Sequence, residues 1–537
     1  MCLKDQEKGP HTMNLEERVG QRLMVGIRGD SLDTDTKDLL QEIKPGSVIL
    51  FRRNIKSAAQ VRELIFSVKG LLPSPPLIAI DQEGGLVVRF IRDITVFPGN
   101  MALGATDSTD LAYRQGLISA SELKNIGVDI NLAPVVDVVT TYHNPGITIR
   151  SFGDNPHRVS ELGIAYIRGT QEMKVAAVAK HFPGKGAAEV DAHLDLPVVA
   201  IPHRTFEQVH LLPFKKAIKN GVKGIMSTHI YCPSLDRRKK RPATFSPKIV
   251  NDYLREKLHF PGVIFSDDLE MGAIAKYYSI GEACIKSALS GHDFLLICSD
   301  RRKQREGFYT LVDAYRKSLL SLEELEVSAQ RIQSLKSFCQ LKPTETSPTF
   351  NSKESQSLAQ HIADKSITLV ADKKGLIPIK DWGKKRIVLI VPDLSTFDSL
   401  EDGYQPSEEH FFFKAFRTYF TGALKACFLP VEINPKDVER TASLVSKNDT
   451  VIALIFDAQA NKGQRQLLFR LQEMDAEVIL VLIRNPFDIE FLNPSNTCLI
   501  TYGFRKSQML SLLKVIFGKI EAKGGLPFRD TRTSYIY

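Results

Sequence analysis

Short apolar segments alternate with amphipathic stretches along the chain as far as about residue 300. Runs of β-branched and apolar residues separated by helical stretches are typical of repeated βα units, so this pattern predicts a parallel sheet. Leu111–Asn125 and Thr205–Lys219 place apolar residues at helical spacing and are predicted to be helices that pack on the sheet. The predicted strands are Ser47–Phe51, Leu77–Ile80, Val128–Leu132, Ala176–Lys180, Gly224–Thr228, Val263–Ser266 and Phe294–Cys298.

Polar and charged residues stand at the ends of four of these strands. They are Asp81 to Gly85, Lys180-His181, His229 and Asp267-Asp268. In a (β/α)8 barrel the carboxyl ends of all strands meet at one face, where active sites lie. The pattern therefore predicts an α/β fold, a TIM-type barrel, with a functional site at that face. Hydrogen-bonded structural carboxylates would give the same local pattern.

A second α/β domain is predicted after the barrel. The stretch Gln340–Ser357 is rich in Ser, Thr, Pro and Lys, so the segment 341–360 is predicted to be a linker between a catalytic domain, 1–340, and a C-terminal domain, 361–537. The βα rhythm then resumes and predicts an open doubly wound sheet, with no comparable cluster of charged groups after its strands. These strands are Ile367–Val370, Arg386–Val391, Val451–Phe456, Glu477–Ile483 and Cys498–Tyr502.

The composition is that of a folded globular protein, with 43% hydrophobic and 25% charged residues among 537. Its seven cysteines are scattered and form no CxxC pair, which argues against a disulfide framework and against structural zinc. A reducing compartment fits this usage best. The first residues lack the apolar core of a secretory signal, and no run approaches the roughly 18 apolar residues of a spanning helix. We therefore expect a cytoplasmic protein without a membrane span.

The charge balance gives no case for a nucleic-acid partner. A net charge of +9 is a modest excess for this length. The densest basic runs, Arg237–Arg241 and Arg301–Lys303, are predicted to be solvated loops, a more common role for such runs than binding an anionic partner.

Two elements carry the candidate chemistry. Asp191 and His193 are separated by one residue, so in an extended loop the carboxylate can accept from one imidazole nitrogen and leave the other for proton transfer. A single D-x-H is weak evidence by itself. Asp267 and Asp268 could hold a metal, cap a helix or supply a nucleophile. Metal binding is the less favoured of these because the nearby histidines show no HxH or HExxH spacing.

These motifs, taken in order, resemble glycoside hydrolase family 3, specifically its β-N-acetylglucosaminidase branch, over nearly the whole chain. In the second domain the resemblance rests on SITLV at 366–370, GLIPI at 375–379 and NPFD at 485–488. In the first domain it rests on DQEGG at 81–85, NLAPVVDV at 131–138, RSF at 150–152, KHFPG at 180–184, the DxH loop at 191–193 and FSDDLEM at 265–271.

The resemblance implies a role for each matching residue. Asp267 matches the nucleophile, and His193 with Asp191 matches the acid/base dyad. The positions that match sugar-binding residues or their neighbours are Asp81, Arg150, Lys180, His181, Asp137 and His229. The family's loop usually reads GHGD or GRGD followed by Thr, whereas this chain has Gly184-Lys185-Gly186-Ala187-Ala188 and so lacks a carboxylate and a hydroxyl there.

The resemblance also implies an activity: removal of terminal β-linked N-acetylglucosamine, with retention and without a cofactor or metal, from peptidoglycan (muropeptide) fragments. Another family 3 activity, such as that of a β-glucosidase or a GlcNAc phosphorylase, is the alternative enzyme. A weakly active sugar-binding or scaffold protein is the alternative of another class. The sequence does not indicate an oligomeric state.

Overall fold

In a computed structural model, which describes residues 13–238, 240–342, 350–380, 386–394, 411–530 and 532, the first part of the chain closes into a barrel of eight parallel strands. Strand β8 pairs in parallel with β1 and completes the ring. The predicted TIM-type barrel is therefore confirmed. Its strands are β1 (Leu23–Gly26), β2 (Ser47–Leu50), β3 (Leu77–Ile80), β4 (Ile130–Asn131), β5 (Ala176–Phe182), β6 (Gly224–Ser227), β7 (Val263–Asp268) and β8 (Phe294–Ile297).

Helices surround the barrel. The predicted helix Leu111–Asn125 lies within α5. Ser108 caps the start of this helix, and Gly127, whose backbone is in the left-handed region, caps its end. The predicted helix Thr205–Lys219 is instead interrupted by a π-helical turn at Phe206–His210. The helices are α1 (Leu15–Gln21), α2 (Thr34–Ile43), α3 (Ala58–Gly70), α4 (Asn100–Thr106), α5 (Thr109–Ile126), α6 (Pro156–Glu172), α7 (His203–Thr205), α8 (Leu212–Lys219), α9 (Gly272–Ala275), α10 (Ile280–Leu289), α11 (Arg301–Arg316) and α12 (Leu322–Gln340).

Apolar side chains fill the barrel interior. Ile332, Leu335 and Cys339 of α12 pack on the same cluster and cover one end of the barrel. A filled interior leaves only the opposite end, where the strands finish, for polar chemistry. Each strand contributes at least one residue to this cluster, in order Met24, Ile49, Ala79, Ile130, Val178, Met226, Phe265 and Leu296.

The second domain is a six-stranded sheet in the order β11-β10-β12-β13-β14-β9. Its inner strands are parallel, as predicted, and β9 is antiparallel to β14 at one edge. The strands are β9 (Thr368–Ala371), β10 (Ile387–Asp393), β11 (Leu424–Pro430), β12 (Thr450–Ile455), β13 (Glu477–Leu482) and β14 (Thr497–Ile500). The helices are α13 (Lys353–Ser366), α14 (Phe411–Tyr419), α15 (Pro435–Ala442), α16 (Lys462–Gln472) and α17 (Lys506–Ile516).

Two strands of the structure, β1 and β11, were not predicted from the sequence. Strand β1 has four residues, begins two residues after α1 ends and lies in a short apolar run, Leu23 to Ile27, between Arg22 and Arg28. Strand β11 lies at the sheet edge, where buried and exposed residues alternate irregularly. The apolar run of β1 is of the same kind as those of the predicted strands, so this strand could have been predicted from the sequence.

The connection between the domains is largely helical after residue 352. Part of the predicted linker, 343–349, lies outside the described residues, but α13 begins at Lys353 and so occupies the end of the 341–360 segment. Leu358 of α13 packs in the barrel's hydrophobic cluster, while Gln360 Nε2 donates to Ser507 O and Ser511 Oγ of the second domain. Helix α13 therefore contacts both domains.

The basic run Arg301–Lys303, predicted to be a loop, instead forms the first turn of α11, and that prediction was wrong. Asp300 caps the helix by accepting from the Arg302 amide, and Arg301 pairs with Asp33 and Asp35. The other basic run, Arg237–Arg241, lies in a loop, with Lys239 outside the described residues.

Within the described ranges, no helix combines the length and apolar character needed to cross a membrane.

Candidate active site

A cavity of about 580 Å³ opens at the carboxyl ends of the barrel strands. Most of the predicted site residues line it, although they lie far apart in the sequence. These are Asp81 after β3, Arg150 from the loop after β4, Lys180 and His181 of β5, Asp191 and His193 from the loop after β5, and Asp267 of β7.

Four charged groups form a chain of ion pairs on one side of the cavity. Lys180 Nζ lies 2.7 Å from Asp81 Oδ1 and 2.8 Å from Glu83 Oε1. Arg150 donates from Nε and Nη2 to the two Glu83 oxygens at 2.9 and 2.8 Å, a bidentate arrangement. Burial alone would raise the pKa of Asp81, but Lys180 and a further cation, Arg89, lower it to about 2. Asp81 is therefore ionised at neutral pH and can only accept hydrogen bonds.

Glu83 was not assigned a role from the sequence. Its carboxylate is 2% exposed and holds both Arg150 and Lys180. A local signal was available, because Glu83 stands two residues after Asp81 in a non-helical segment, where alternate side chains point the same way.

His181 is fixed from behind by Asp137. Its Nδ1 lies 2.8 Å from Asp137 Oδ2, and the Asp137 carboxylate also accepts from the His181 and Lys185 amides. Burial and the nearby cations lower the pKa of His181 well below its usual value, so the imidazole is neutral. Burial raises the pKa of Asp137 to about 6. Asp137 is fully buried, and therefore it orients His181 instead of facing the cavity.

Asp191 and His193 meet as their spacing predicts. Nδ1 of His193 lies 2.8 Å from Asp191 Oδ1, which also accepts from the His193 amide at 2.9 Å. Burial opposes the ionisation of Asp191, but the hydrogen bonds from His193 lower the pKa of Asp191 to about 2. The imidazole is 43% exposed, and no described residue makes a hydrogen bond with its Nε2.

The two adjacent aspartates at the end of β7 differ in their contacts. Asp267 accepts from the Asp268 amide through Oδ1 at 2.9 Å, and no described residue donates to its Oδ2. Asp268 accepts from the amides of Glu270 and Cys298, and burial together with neighbouring carboxylates raises its pKa to about 7. Asp267 is thus the carboxylate with an oxygen free to react.

His229 lies behind this pair. Its Nε2 is 2.9 Å from the Asp268 carbonyl oxygen and its Nδ1 is 2.8 Å from Thr244 Oγ1. The residue is fully buried, and burial lowers the pKa of its imidazole. His229 therefore supports the end of β7 and does not reach the cavity itself.

Residues 14–335 match the Glycosyl hydrolase family 3 N terminal domain. The chain belongs to this family. It is 29% identical to Beta-hexosaminidase A of Pseudoalteromonas piscicida over 96% of this chain and 97% of the relative. It is 39% identical to Beta-hexosaminidase of Nitrosomonas eutropha over 52% of this chain and 80% of that relative. The structure of a glycoside hydrolase family 3 beta-N-acetylglucosaminidase from Paenibacillus sp. has 31% identity and a TM-score of 0.90, with 96% of this chain and 99% of that one covered.

In this family 3 hydrolase the second domain also reaches the cavity, through Arg484 and Ala460. Arg484 pairs with Asp457, which accepts from Asn485 Nδ2 at 3.0 Å, while Asp488 accepts from two amides of the loop 457–460. The expectation of no charged cluster after the strands of this domain was therefore wrong. Asp457 and Arg484 follow β12 and β13 almost directly, so the sequence carried the same signal here as in the barrel.

Proposed function

We propose that this hydrolase removes terminal β-linked N-acetylglucosamine with retention of configuration, through a covalent glycosyl-Asp267 intermediate. The observation that carries the proposal is one cavity that holds both Asp267 and the His193–Asp191 pair. Among the described residues, none makes a hydrogen bond to Asp267 Oδ2 or to His193 Nε2. A retaining glycosidase needs an anionic nucleophile and a proton donor on either side of one anomeric carbon. The names of the relatives support the choice of sugar.

In the first step Asp267 Oδ2 forms a bond to the anomeric carbon as the bond to the leaving oxygen breaks. His193 transfers the proton on Nε2 to that oxygen, which leaves as an alcohol. Asp191 holds Nδ1 and stabilises the imidazolium before the transfer.

In the second step the neutral His193 accepts a proton from water through Nε2. The water oxygen bonds to the anomeric carbon, and the Asp267 carboxylate departs. Because the spent acid is a neutral imidazole, it places no second negative charge beside Asp267, as a carboxylate acid/base would.

Asp81, Arg150, Lys180 and His181 position the sugar. Ionised Asp81 accepts from two hydroxyl groups, Arg150 and Lys180 donate, and neutral His181 uses the nitrogen that Asp137 leaves free. Asp137 and His229 act indirectly, through His181 and through the end of β7. No cofactor or metal enters either step.

The substrate is proposed to be a peptidoglycan (muropeptide) fragment, and the setting the cytoplasm. Both rest on the sequence resemblance and on the scattered cysteines, of which the six described are free.

Turnover of 4-nitrophenyl β-N-acetylglucosaminide, with the matching β-glucoside as comparison, tests the proposal. Asp267→Asn is expected to lose several orders of magnitude in turnover while remaining folded, since an amide neither attacks nor stabilises positive charge at the anomeric carbon. Asp110→Asn, on the surface, is the matched control. Product analysis in phosphate buffer separates hydrolysis, which gives free sugar, from phosphorolysis, which gives sugar phosphate.

A slow 5-fluoro glycosyl donor should label the peptide that contains Asp267. Labelling on Asp268 would overturn the assignment, and sugar binding without any turnover would favour the weakly active sugar-binding protein.

A further inference from the structure

Asn144 is a buried residue whose side-chain amide joins two loops of the active site. The residue is 3% exposed and lies after β4, in the loop that leads to Arg150. Its Nδ2 donates to the Lys185 carbonyl oxygen at 2.8 Å, although the two residues are 41 positions apart in the sequence. Its Oδ1 accepts from the amides of Gly146 and Ile147 at 3.1 and 3.0 Å. One side chain therefore holds backbone groups of the loop after β4 and of the loop after β5.

On the β4 side, Gly146 connects Asn144 to two residues of the proposed site. The Gly146 carbonyl accepts from Arg150 Nη1 at 2.8 Å. A Cβ on Gly146 would lie 3.9 Å from Asp191 Oδ1, so the Asp191 carboxylate lies directly beside this residue. Gly146 also lines the cavity. A shift of Gly146 would therefore disturb both a donor to the sugar and the surroundings of Asp191.

On the β5 side, the Lys185 carbonyl begins the loop that carries the proposed acid/base dyad. The same oxygen accepts from the Ala188 amide at 3.0 Å and so closes the first turn of this loop. The side chains of Ala187 and Ala188 have no polar atoms with which to fix the turn. The amide of Asn144, from another loop, supplies a side-chain bond to it.

Two further bonds join the same loops. Asp137 Oδ1 accepts from the Lys185 amide at 2.7 Å, and the Thr140 amide donates to the Gly186 carbonyl at 3.2 Å. Neither of these bonds extends to the segment beside Asp191. Asn144 differs from Asp137 and Thr140 because the second polar atom of its side chain holds that segment.

We infer that Asn144 is a positioning residue that fixes the proposed acid/base dyad, His193 and Asp191, against the loop of Arg150. The inference rests on the proposed role of His193 as the proton donor. Asn144 must donate to one loop and accept from the other. A side-chain amide has a donor and an acceptor for these two tasks, whereas an ionised carboxylate only accepts and an aliphatic side chain does neither.

Asn155 has the local half of this arrangement without the link between loops. Like Asn144 it precedes a proline, and its Oδ1 accepts from the amides two and three residues further on, those of His157 and Arg158, at 3.0 and 3.3 Å. Asn155 is exposed, and no described residue accepts from its Nδ2. Asn155→Ala is therefore a matched control that removes the local bonds alone.

The test compares Asn144→Asp, Asn144→Ala and Asn155→Ala on two substrates, a β-linked N-acetylglucosamine disaccharide and 4-nitrophenyl β-N-acetylglucosaminide. In Asn144→Asp the oxygen that replaces Nδ2 cannot donate to the Lys185 carbonyl, while the other oxygen keeps its bonds to the two amides. The measurements are kcat/KM on the disaccharide, the rate and amplitude of the nitrophenolate burst, and the melting temperature. The burst amplitude counts the active enzyme.

A displaced acid slows the departure of a poor leaving group most. Both Asn144 variants are therefore expected to lose on the order of tenfold more in kcat/KM on the disaccharide than in the rate of the nitrophenolate burst. Asn155→Ala should keep the ratio of the two rates found in the parent enzyme. A merely structural role of Asn144 would lower the melting temperature and the burst amplitude but would leave that ratio unchanged, and this result would overturn the inference.

Two other outcomes also count against the inference. If the ratio changes in Asn144→Ala but not in Asn144→Asp, the bond between the loops is dispensable. If neither Asn144 variant folds, Asn144 stabilises the barrel and has no separate role in positioning the dyad. His193→Ala in the same assay separates these outcomes from a failure of the proposed function. If His193→Ala leaves the ratio unchanged, the proposed acid/base role fails; if it changes the ratio and Asn144→Asp does not, only the role of Asn144 fails.

Discussion

Gly272, the first residue of α9, lies directly against the backbone of His193. A Cβ on Gly272 would lie 2.3 Å from the His193 carbonyl oxygen, closer than two such atoms can approach. The next amide, of Ala273, donates to the Ala192 carbonyl at 2.9 Å. Helix α9 follows the nucleophile strand β7, so this contact fixes the loop of the proposed acid/base relative to the proposed nucleophile.

Gly272→Ala is therefore expected to displace the His193 loop. A misplacement of about 1 Å can cost on the order of 100-fold in rate, so we expect a loss of that size in kcat on a nitrophenyl substrate. Gly70→Ala is the matched control, because a Cβ there meets open space. A fall in melting temperature without loss of kcat would mean that the loop tolerates the shift.

His193→Ala should depend on the leaving group. An alkoxide needs a proton while its bond breaks, whereas a nitrophenolate departs without one. The variant should therefore lose more activity on a natural disaccharide than in the glycosylation step of a nitrophenyl substrate, measured by pre-steady-state bursts. Asp191→Ala should give a milder form of the same pattern, since the imidazole remains but is poorly oriented. Equal slowing for good and poor leaving groups would make His193 a binding or loop-closing residue.

The sequence predicted those parts of the site that depend on local spacing or on strand ends. Asp191 and His193 bond to each other because one residue separates them, and Asp81, Lys180 and Asp267 converge because parallel strands end at one face. Spacing along the sequence does not specify which charged side chains pair with each other in the folded protein. Asp81 and Lys180 are 99 residues apart, and whether Asp137 faces the sugar or supports His181 depends on tertiary packing.

The reach of the second domain into the cavity could not be predicted at all. Arg484 arrives there through the packing of two domains, which depends on contacts such as Arg505 Nε donating to Gly85 O at 2.7 Å. Strand patterns describe each domain alone and carry no information about such an interface.

Glu83→Gln is expected to weaken sugar binding through two other residues. The change leaves Arg150 and Lys180 buried with Asp81 as the remaining carboxylate of the network. Loss of one partner of a buried ion pair costs about 3–5 kcal/mol, so the melting temperature should fall along with kcat/KM. Steady-state kinetics and thermal unfolding measure both, and Glu172→Gln, at an exposed hydrogen bond with Tyr113, is the control. Kinetics like those of the parent enzyme would show that the network is not needed to bind the sugar.

Asp268→Asn should change how stability depends on pH. Burial, Glu270 and Asp267 raise the pKa of Asp268 to about 7 in the folded protein, whereas an unfolded aspartate titrates near its ordinary value of 3.8. Between these two values the folded state holds a proton that the unfolded state has released, so this group favours folding at low pH and its contribution falls as pH rises towards 7. The asparagine side chain of the variant would remain neutral, and its Oδ1 could still accept from the amides of Glu270 and Cys298. The melting temperature of Asp268→Asn relative to the parent enzyme should therefore rise steadily from about pH 4 to about pH 7 and then level off. A constant difference across that range would mean that Asp268 stays ionised in the folded protein and adds its negative charge beside Asp267 throughout.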